Sequence, residues 1–405
     1  MRLLILTNYF PPEVGGAAHL YHEMAETLAA SGHQVTVVTG FPRYNVKERP
    51  AAYRRRLLVR EQGPGFRLIR LWMPPLPRSS SIIRGLEHFL IAGALLVGGL
   101  LARRHDVILC YSPPLPLGIS TWLLARLWGA RAAVNIQDLF PREAVMLGLL
   151  RSRPLIHLLE AIERFIYRHA DCIITHSPSN REYVISAGGA AEKTHVVHNW
   201  ADTERIRPAP RENRLRAKSG LNGQFVVSYA GTMGWCQDTG VIIEAASRLR
   251  DHPIRFLLVG DGPGKQEAES QTKQLGLHNV TFLPTQPWDV YPEVLHASDV
   301  GMINLNRNLT SPVVPSKLLN IMAAGRPVVA SLPLNGDAPK IVEDAACGFC
   351  VDAGDVNGLA GAILRLYENP ELASQMGKSG REYAERHFSR QTCVRKLEQL
   401  LVGLP

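Results

Sequence analysis

Short apolar runs alternate with helix-like segments along the whole chain, and this alternation restricts the possible folds more than any other feature. Between the first two runs, Leu20, Met24 and Leu28 recur every fourth residue, and Ser31-Gly32 predicts the end of this helix. A strand, a helix and a second strand in this order form a βαβ unit, which favours a parallel sheet. The predicted strands of this series are residues 3–7, 34–39, 107–112, 132–137, 172–175 and 195–198.

The alternation begins again after a segment rich in proline and arginine at residues 199–216. The predicted strands of the second series are residues 225–230, 254–259, 280–283, 300–303, 327–331 and 348–351. We therefore predict an α/β protein with two doubly wound parallel-sheet domains, residues 1–200 and 201–387. Ligands of such domains bind beyond the carboxyl ends of the strands, here expected to face a cleft between the domains.

The composition is that of a globular protein, since 46% of the 405 residues are hydrophobic and 20% are charged. Only six cysteines are present, and the sequence opens directly on a strand-like run. We therefore expect a cytoplasmic protein with no cleaved leader and no disulfide framework.

Basic residues are concentrated near the start of the chain: nine lie between Arg43 and Arg70, and the first 200 residues carry the whole net charge of +9. Residues 89–102, which follow, contain no charge and are too few to span a bilayer. They form either a buried helix of the first domain or an interfacial helix on an anionic membrane. In the second case the membrane-facing residues are Arg54, Arg55, Arg56, Phe89, Leu90, Leu95 and Leu96. A nucleic-acid partner is not expected, because the sequence contains no motif typical of nucleic-acid binding.

Glycines follow three predicted strands, as Gly15-Gly16, as Gly231 beside Thr232, and as Gly260 beside Asp261. Glycines between a strand and a helix let the backbone approach an anion, and the free N–H groups and helix dipole favour a phosphate there. The alternative is that these glycines only turn the chain.

Two further segments carry candidate catalytic residues. Pro315-Ser316 predicts the start of a helix whose first turn presents Ser316 and Lys317 to a diphosphate, with Asn320 on the same face for sugar hydroxyls. The alternative is an ordinary capped helix with a solvated lysine. Asp138, at the end of a predicted strand, is suited to position or deprotonate an acceptor hydroxyl, although it would equally suit a helix N-cap.

We expect neither a metal ion nor a cofactor. The sequence contains no Asp-x-Asp triplet, and no second cysteine pair or histidine cluster accompanies Cys347 and Cys350. Charge on a leaving diphosphate would be met by backbone N–H groups and by lysine or arginine.

Taken together, these elements resemble the retaining glycosyltransferases of family 4, whose GT-B fold has two facing Rossmann-like domains. The resemblance covers nearly the whole chain and rests on Pro11-Pro12-Glu13-x-Gly15-Gly16, on His176-Ser177 to Asn199, on Tyr229-Ala230-Gly231, on Leu258 to Pro263, and on Met322 to Ala330. Two elements, Pro315-Ser316-Lys317 and Gln137-Asp138-x-x-Pro141, look most like the bacterial surface-polysaccharide subgroup, such as colanic-acid and O-antigen fucose or acetylfucosamine transferases.

The resemblance implies that the second domain binds a nucleotide-sugar, with uracil preferred over guanine, and that the first binds a polyprenyl-linked or glycan acceptor. It implies that Gly15, Gly16, Thr232, Ser316 and Lys317 contact the diphosphate. The nucleoside would lie near Gly260, Asp261, Pro284, Thr285 and Asn320, and a terminal helix of residues 388–405 would return to the first domain. The protein would act on the cytoplasmic face of the inner membrane.

The sequence departs from the family pattern where many members carry two glutamates eight positions apart, because Pro312 and Asn320 stand there. The usual arginine and lysine after the Tyr-Ala-Gly strand are replaced by Thr232 and Gln237. The resemblance then leaves the diphosphate to Lys317 and backbone amides. Two alternative functions stay open: a sugar-nucleotide epimerase of the same fold, and a non-catalytic membrane-associated subunit of a polysaccharide assembly complex.

Overall fold

The computed structural model of the chain describes residues 1–13, 15–43, 53–74, 81–234, 236–307 and 314–405, and for Gly16 and residues 81–84 it describes the backbone alone. The chain folds into two compact units, one of residues 1–199 with 391–405 and one of residues 200–390. Each unit has its own sheet, parallel except for one edge strand in the first unit, and its own helices, which confirms the predicted α/β class.

The first unit is built on an eight-stranded sheet in the order β3-β4-β2-β1-β5-β6-β7-β8. Its strands are β1 Arg2–Leu6, β2 Gln34–Gly40, β3 Leu58–Gln62, β4 Arg67–Leu71, β5 Val107–Ser112, β6 Arg131–Ile136, β7 Cys172–Thr175 and β8 Thr194–Val196. Its helices are α1 Gly16–Ala30, α2 Ser81–Ala102, α3 Leu117–Trp128, α4 Arg142–Met146, α5 Arg153–His169 and α6 Pro178–Ser186. The six predicted strands are all present.

The hairpin β3–β4 was not predicted, because it lies within the basic run. Strand β4 extends the parallel sheet beside β2, and β3 pairs antiparallel with β4 at the edge. Arg70 on β4 is buried; it donates hydrogen bonds to the carbonyl oxygens of Gly40 and Pro11 and pairs with Glu61. Arg70 therefore supports the fold and is not available to a membrane surface.

The apolar segment forms helix α2, which has one buried face and one exposed face. Its 22 residues include 18, Gly85–Ala102, that are long and apolar enough to cross a membrane, and one third of these are buried. The inner face packs against β2, β4 and α3, so closely that a Cβ at Gly98 would lie 2.4 Å from Leu71. The outer face is apolar and exposed, with Phe89 and Leu90 each 40% accessible.

The assignment of Leu95 to a membrane-facing surface is wrong. Leu95 is fully buried, because it lies on the inner face of α2 with Ile91 in the core of the first unit. Leu96 is partly buried and packs against the same core. Arg54, Arg55 and Arg56 are exposed.

The second unit has a six-stranded, wholly parallel sheet in the order β11-β10-β9-β12-β13-β14. Its strands are β9 Phe225–Ala230, β10 Ile254–Val259, β11 Val280–Leu283, β12 Val300–Asn304, β13 Val328–Ser331 and β14 Gly348–Val351. Its helices are α7 Arg214–Lys218, α8 Thr239–Arg248, α9 Pro263–Gln274, α10 Tyr291–His296, α11 Ser316–Ala323, α12 Asp337–Asp344, α13 Val356–Glu368 and α14 Pro370–His387. Helix α15, Arg390–Val402, ends the chain and belongs to the first unit, where Glu398 lies 2.7 Å from His33.

Candidate active site

Each sheet has one point at which the strand order reverses, between β1 and β5 in the first unit and between β9 and β12 in the second. Ligands of doubly wound sheets bind beyond the carboxyl ends of the strands at this point. The segments that follow β1, β5 and β6 are therefore the candidate site of the first unit, and those that follow β9, β10 and β12 are that of the second.

Three tyrosines surround the reversal point of the first unit. The ring of Tyr111, at the end of β5, makes edge contacts with the rings of Tyr9, after β1, and Tyr21, on α1. Tyr111 and Tyr21 are buried, whereas Tyr9 is only partly so. The sequence alone does not indicate this cluster, because the residues are 12 and 90 positions apart and share no local pattern.

The Gly15-Gly16 element lies at the start of α1, as predicted, and a Cβ added to Gly15 would meet no other atom within 4 Å. The carboxylate of Glu13, two residues before Gly15, accepts a hydrogen bond from the backbone N–H of Arg43 at 2.8 Å. A glycine with room around its Cβ position at a helix N-terminus is compatible with the predicted approach of an anion.

Asp138 follows β6; the residue reaches solvent, but protein surrounds its carboxylate on the other sides. Its carboxylate makes no hydrogen bond to any residue that the structure describes, so it is not the N-cap of α4, whose cap position is Pro141. The surrounding protein desolvates this carboxylate, and the charge of Glu143 repels it, which together raise its pKa to about 7. A carboxylate with a pKa near neutrality and no competing partner is suited to accept a hydroxyl proton or to orient a hydroxyl.

Two glycine loops in the second unit lock together. A Cβ at Gly260 would lie 1.9 Å from the carbonyl oxygen of Gly231, and one at Gly262 would lie 2.3 Å from that of Met233. Both glycines have positive φ angles, 153° and 145°. Backbone hydrogen bonds from Gly231 to Val259 and from Met233 to Asp261 join the loops. These glycines therefore fix the ends of β9 and β10 against each other and do more than turn the chain.

Lys317, in the first turn of α11, lies over the end of β9. Its Nζ is 5.0 Å from the centroid of the Tyr229 ring, and its Cε occupies the space in which a Cβ of Gly231 would stand. Burial lowers the pKa of the ammonium group to about 8, an effect that nearby Cys236 partly opposes. Within the described part of the chain no carboxylate pairs with it. A half-buried cation without a counter-ion is characteristic of an anion-binding site.

The other predicted diphosphate residues lie nearby. Ser316 opens α11 and is exposed, and Thr232 is exposed directly after Gly231. Asn320 lies one turn after Lys317 and beside the hydroxyl of Tyr291. Burial raises the pKa of Tyr291 to about 12, and the hydrogen bond with Asn320 partly opposes this rise. Pro312, the other position at which the sequence departs from the family, lies outside the described residues.

The predicted nucleoside residues come together at the ends of β10 and β11. The backbone N–H and hydroxyl of Thr285, which follows Pro284, donate to Asp261 at 3.4 and 3.3 Å, and the N–H of Gly260 donates to the carbonyl of Leu283. Lys265, which the sequence analysis missed, donates to Asp261 at 3.1 Å and is the main cause of its lowered pKa. Gly231 lies between this group and Lys317, because its backbone is close to Gly260 on one side and to the Lys317 side chain on the other.

Comparison of the chain with known proteins identifies its family. Residues 15–200 match the model of the glycosyl transferase 4-like domain, and residues 211–383 match that of the glycosyl transferases group 1. A putative colanic acid biosynthesis glycosyl transferase of Escherichia coli, WcaI, is 31% identical over 98% of both chains. The chain belongs to the family 4 glycosyltransferases.

Two more comparisons bear on the fold and the donor. The crystal structure of HepE from Anabaena, in complex with UDP and glucose, superposes on the whole of both chains with a TM-score of 0.75 at 20% identity. This likeness shows that the family 4 enzyme has the GT-B fold. A GDP-mannose-dependent mannosyltransferase of Mycolicibacterium smegmatis is 26% identical over 99% of this chain and 98% of its own.

Proposed function

We propose that this glycosyltransferase transfers a sugar from a nucleotide-sugar, with retention at the anomeric carbon, to a glycan or lipid-linked acceptor of a cell-surface polysaccharide. The observation that carries the proposal is the half-buried ammonium group of Lys317, which lies at the reversal point of the second sheet with no carboxylate partner among the described residues. A nucleoside diphosphate would supply the missing negative charge. The name of the Escherichia coli relative supports a polysaccharide product.

The residues divide into a donor group and an acceptor group. Lys317, Ser316, Thr232 and the amides of Gly15 and Gly16 would stabilise the charge that develops on the departing diphosphate. Asp138 would orient the acceptor hydroxyl, and the departing phosphate would take the proton of that hydroxyl as the new glycosidic bond forms on the same face of the sugar.

We favour a UDP-sugar as the donor. HepE was crystallised with UDP, and Asp261 with Thr285 offers a small polar site that would suit a ribose and a pyrimidine. The mycobacterial relative uses GDP-mannose, so the base must be tested directly.

Thermal unfolding in the presence of nucleotides tests the donor site, since a ligand that binds the folded state raises its melting temperature. UDP, GDP and their sugar conjugates are compared on the wild type, on Lys317→Ala and on a control, Lys340→Ala, which removes an exposed lysine of α12. We expect a shift with one base family that Lys317→Ala reduces and the control keeps. A folded wild-type protein that responds to no nucleotide would contradict the proposal.

We also propose that the enzyme acts as a peripheral protein on the cytoplasmic face of the inner membrane. The outer face of α2 is apolar over several turns, and the exposed Arg54, Arg55 and Arg56 would add attraction to anionic lipids. A transmembrane position of α2 is disfavoured, because its inner face would have to leave the core that Ile91 and Leu95 help to form.

Sedimentation with vesicles tests this proposal. Replacement of the three arginines by serine should reduce co-sedimentation with phosphatidylglycerol vesicles at low salt, since each basic residue near the surface contributes about 1 kcal/mol. The matched control replaces three exposed cations of the second unit, Arg248, Arg250 and Lys273. Equal loss in both triple variants would show that net charge alone, and not this surface, determines binding.

A further inference from the structure

A chain of side-chain amides crosses the carboxyl edge of the first sheet beside Asp138. The Nδ2 of Asn199, after β8, donates to the Oε1 of Gln137 at 2.8 Å, and the Nε2 of Gln137 donates to the Oδ1 of Asn135 at 2.9 Å. Asn135 is buried at the end of β6, whereas Gln137 and Asn199 are half-exposed. The chain therefore orients two accessible amides from a buried anchor.

These two amides keep hydrogen-bonding capacity that the described protein does not use. Gln137 has a second N–H and a second lone pair, and Asn199 has a second N–H and a carbonyl oxygen for which no protein partner is described. A sugar hydroxyl both donates and accepts, so fixed amides that offer both functions match it well. A phosphate or carboxylate, which only accepts, would use half of this capacity.

Aromatic rings also lie near Asp138. Burial raises the pKa of Tyr111, and the negative charge of the nearby Asp138 carboxylate adds to this rise. The ring of Tyr111 also makes edge contact with that of Tyr9. Tyr9 is only partly buried. A tyrosine ring presents an apolar face together with a polar edge, which suits a sugar ring with its C–H groups and hydroxyls.

The charges around the cluster disfavour an anionic ligand. Burial is the main cause of the raised pKa of Asp138, and the negative charge of Glu143 adds to it, so an additional anion near Asp138 would meet the same burial and repulsion. The guanidinium of Arg142, the residue before Glu143, lies over the ring of Tyr183, at 4.7 Å from its centroid.

We propose that this cluster binds a neutral sugar of the acceptor, with Gln137 and Asn199 as the residues that determine its specificity and Tyr9 as the ring against which the sugar lies. The inference deepens the proposed function and rests on it. It means that the enzyme extends an existing saccharide whose terminal residue is neutral, and that neither a polyprenyl phosphate without sugar nor a uronic acid is recognised at this position.

Saturation-transfer NMR on the full chain with bound UDP tests the proposal directly. The probes are the methyl glycosides of glucose, galactose, fucose and N-acetylglucosamine, compared with that of glucuronic acid, each at up to about 50 mM because single sugars bind weakly. We expect transfer to at least one neutral glycoside and none to the glucuronide. Equal transfer to the glucuronide, or no transfer to any neutral glycoside, would overturn the proposal.

Variants assign the signal to the amides. Gln137→Leu should weaken binding of the neutral glycoside by at least about tenfold, because it removes the hydrogen bonds and leaves Asn199 and Asn135 without their partner. Gln137→Glu, which keeps the shape and the acceptor for Asn199, should weaken it as well, and it serves if the leucine variant does not fold. The control Gln399→Leu changes an exposed glutamine of α15 and should bind like the wild type.

A failure of this inference can be distinguished from a failure of the proposed function. If UDP still raises the melting temperature while Gln137→Leu and Gln137→Glu bind the neutral glycoside like the wild type, the acceptor assignment is wrong and the donor site stands. If no nucleotide binds, the proposed function itself fails.

Discussion

Replacement of Lys317 by methionine should stabilise the ligand-free protein and at the same time weaken its binding of nucleoside diphosphates. Methionine has a similar length and volume and removes the charge. The ammonium group has a pKa of about 8 in the folded protein, compared with an ordinary value of 10.5. Below pH 8 the folded state therefore carries a charge that its surroundings disfavour.

The size of the effect follows from this difference. At about 1.4 kcal/mol per pKa unit, the cost of the charge is about 3 kcal/mol, an upper bound because Lys317 is partly open to water. Attraction to the Tyr229 ring at 5.0 Å offsets about 1 kcal/mol of this cost. A net gain of about 1–2 kcal/mol in the free energy of unfolding would raise the melting temperature of a unit of this size by about 2–8 °C.

The pH dependence separates this explanation from better packing of methionine. The cost is complete below about pH 8 and decreases as the pH rises toward 10.5, where the lysine is neutral in both the folded and the unfolded state. The melting-temperature difference between variant and wild type should therefore shrink between pH 7.5 and about 10.5. Fluorescence-monitored melting at several pH values measures it, with Lys218→Met, an exposed lysine of α7, as the control.

A lower or equal melting temperature of Lys317→Met at pH 7.5 would refute the reasoning, as would a difference that does not change with pH. If the variant is more stable but binds UDP as tightly as the wild type, the charge is desolvated for a reason other than diphosphate binding. In that case Lys317 would not be a donor-binding residue, although its buried charge would still destabilise the folded state.

Three further predictions address catalysis, the glycine loops and α2. The transfer rate of the wild type should rise with pH through about 7, because the carboxylate of Asp138 must be ionised to orient the acceptor. Asp138→Asn should lose most of the activity and this pH dependence while it still binds nucleotide. An unchanged pH profile in the variant would exclude Asp138 from this role. Gly260→Ala should lower the free energy of unfolding of the second unit in urea by more than about 3 kcal/mol, because the added Cβ would lie 1.9 Å from a backbone oxygen. In the control Gly264→Ala the nearest contact of the Cβ would be 3.2 Å, so the loss of stability should be much smaller. Leu95→Ala should cost about 2–5 kcal/mol and Leu100→Ala, 46% exposed, less than about 1 kcal/mol; similar losses would contradict the orientation of α2.

The predicted strands came from local patterns, and their success has a local cause. Parallel strands that are covered on both sides are apolar along most of their length, as in residues 225–227 and 256–259, so the apolar run itself indicates the strand. The hairpin β3–β4 lacks this mark, because Arg60, Glu61, Arg67 and Arg70 interrupt it. A buried arginine with carbonyl and carboxylate partners cannot be distinguished in the sequence from a surface one.

Helix α2 shows the same limit for apolar residues. Its composition is nearly uniform over several turns, so no polar face indicates which side is buried, and Leu95 and Leu96 look equivalent in the sequence. Packing against β2, β4 and α3 makes one of them core and leaves Phe89 and Leu90 outside.

The sequence alone determined the two α/β units, the strands that carry the site, and the residue types at their carboxyl ends, because periodicity and turn chemistry act between near neighbours. Only the tertiary structure decided which of these groups carry unusual electrostatics. Lys317 and Asp138 acquire pKa values of about 8 and 7 because the folded protein around each group partly desolvates its charged form. The amide chain from Asn199 to Asn135 likewise exists only because β6 and β8 lie in one sheet, since residues 64 positions apart have no local means to fix each other's direction.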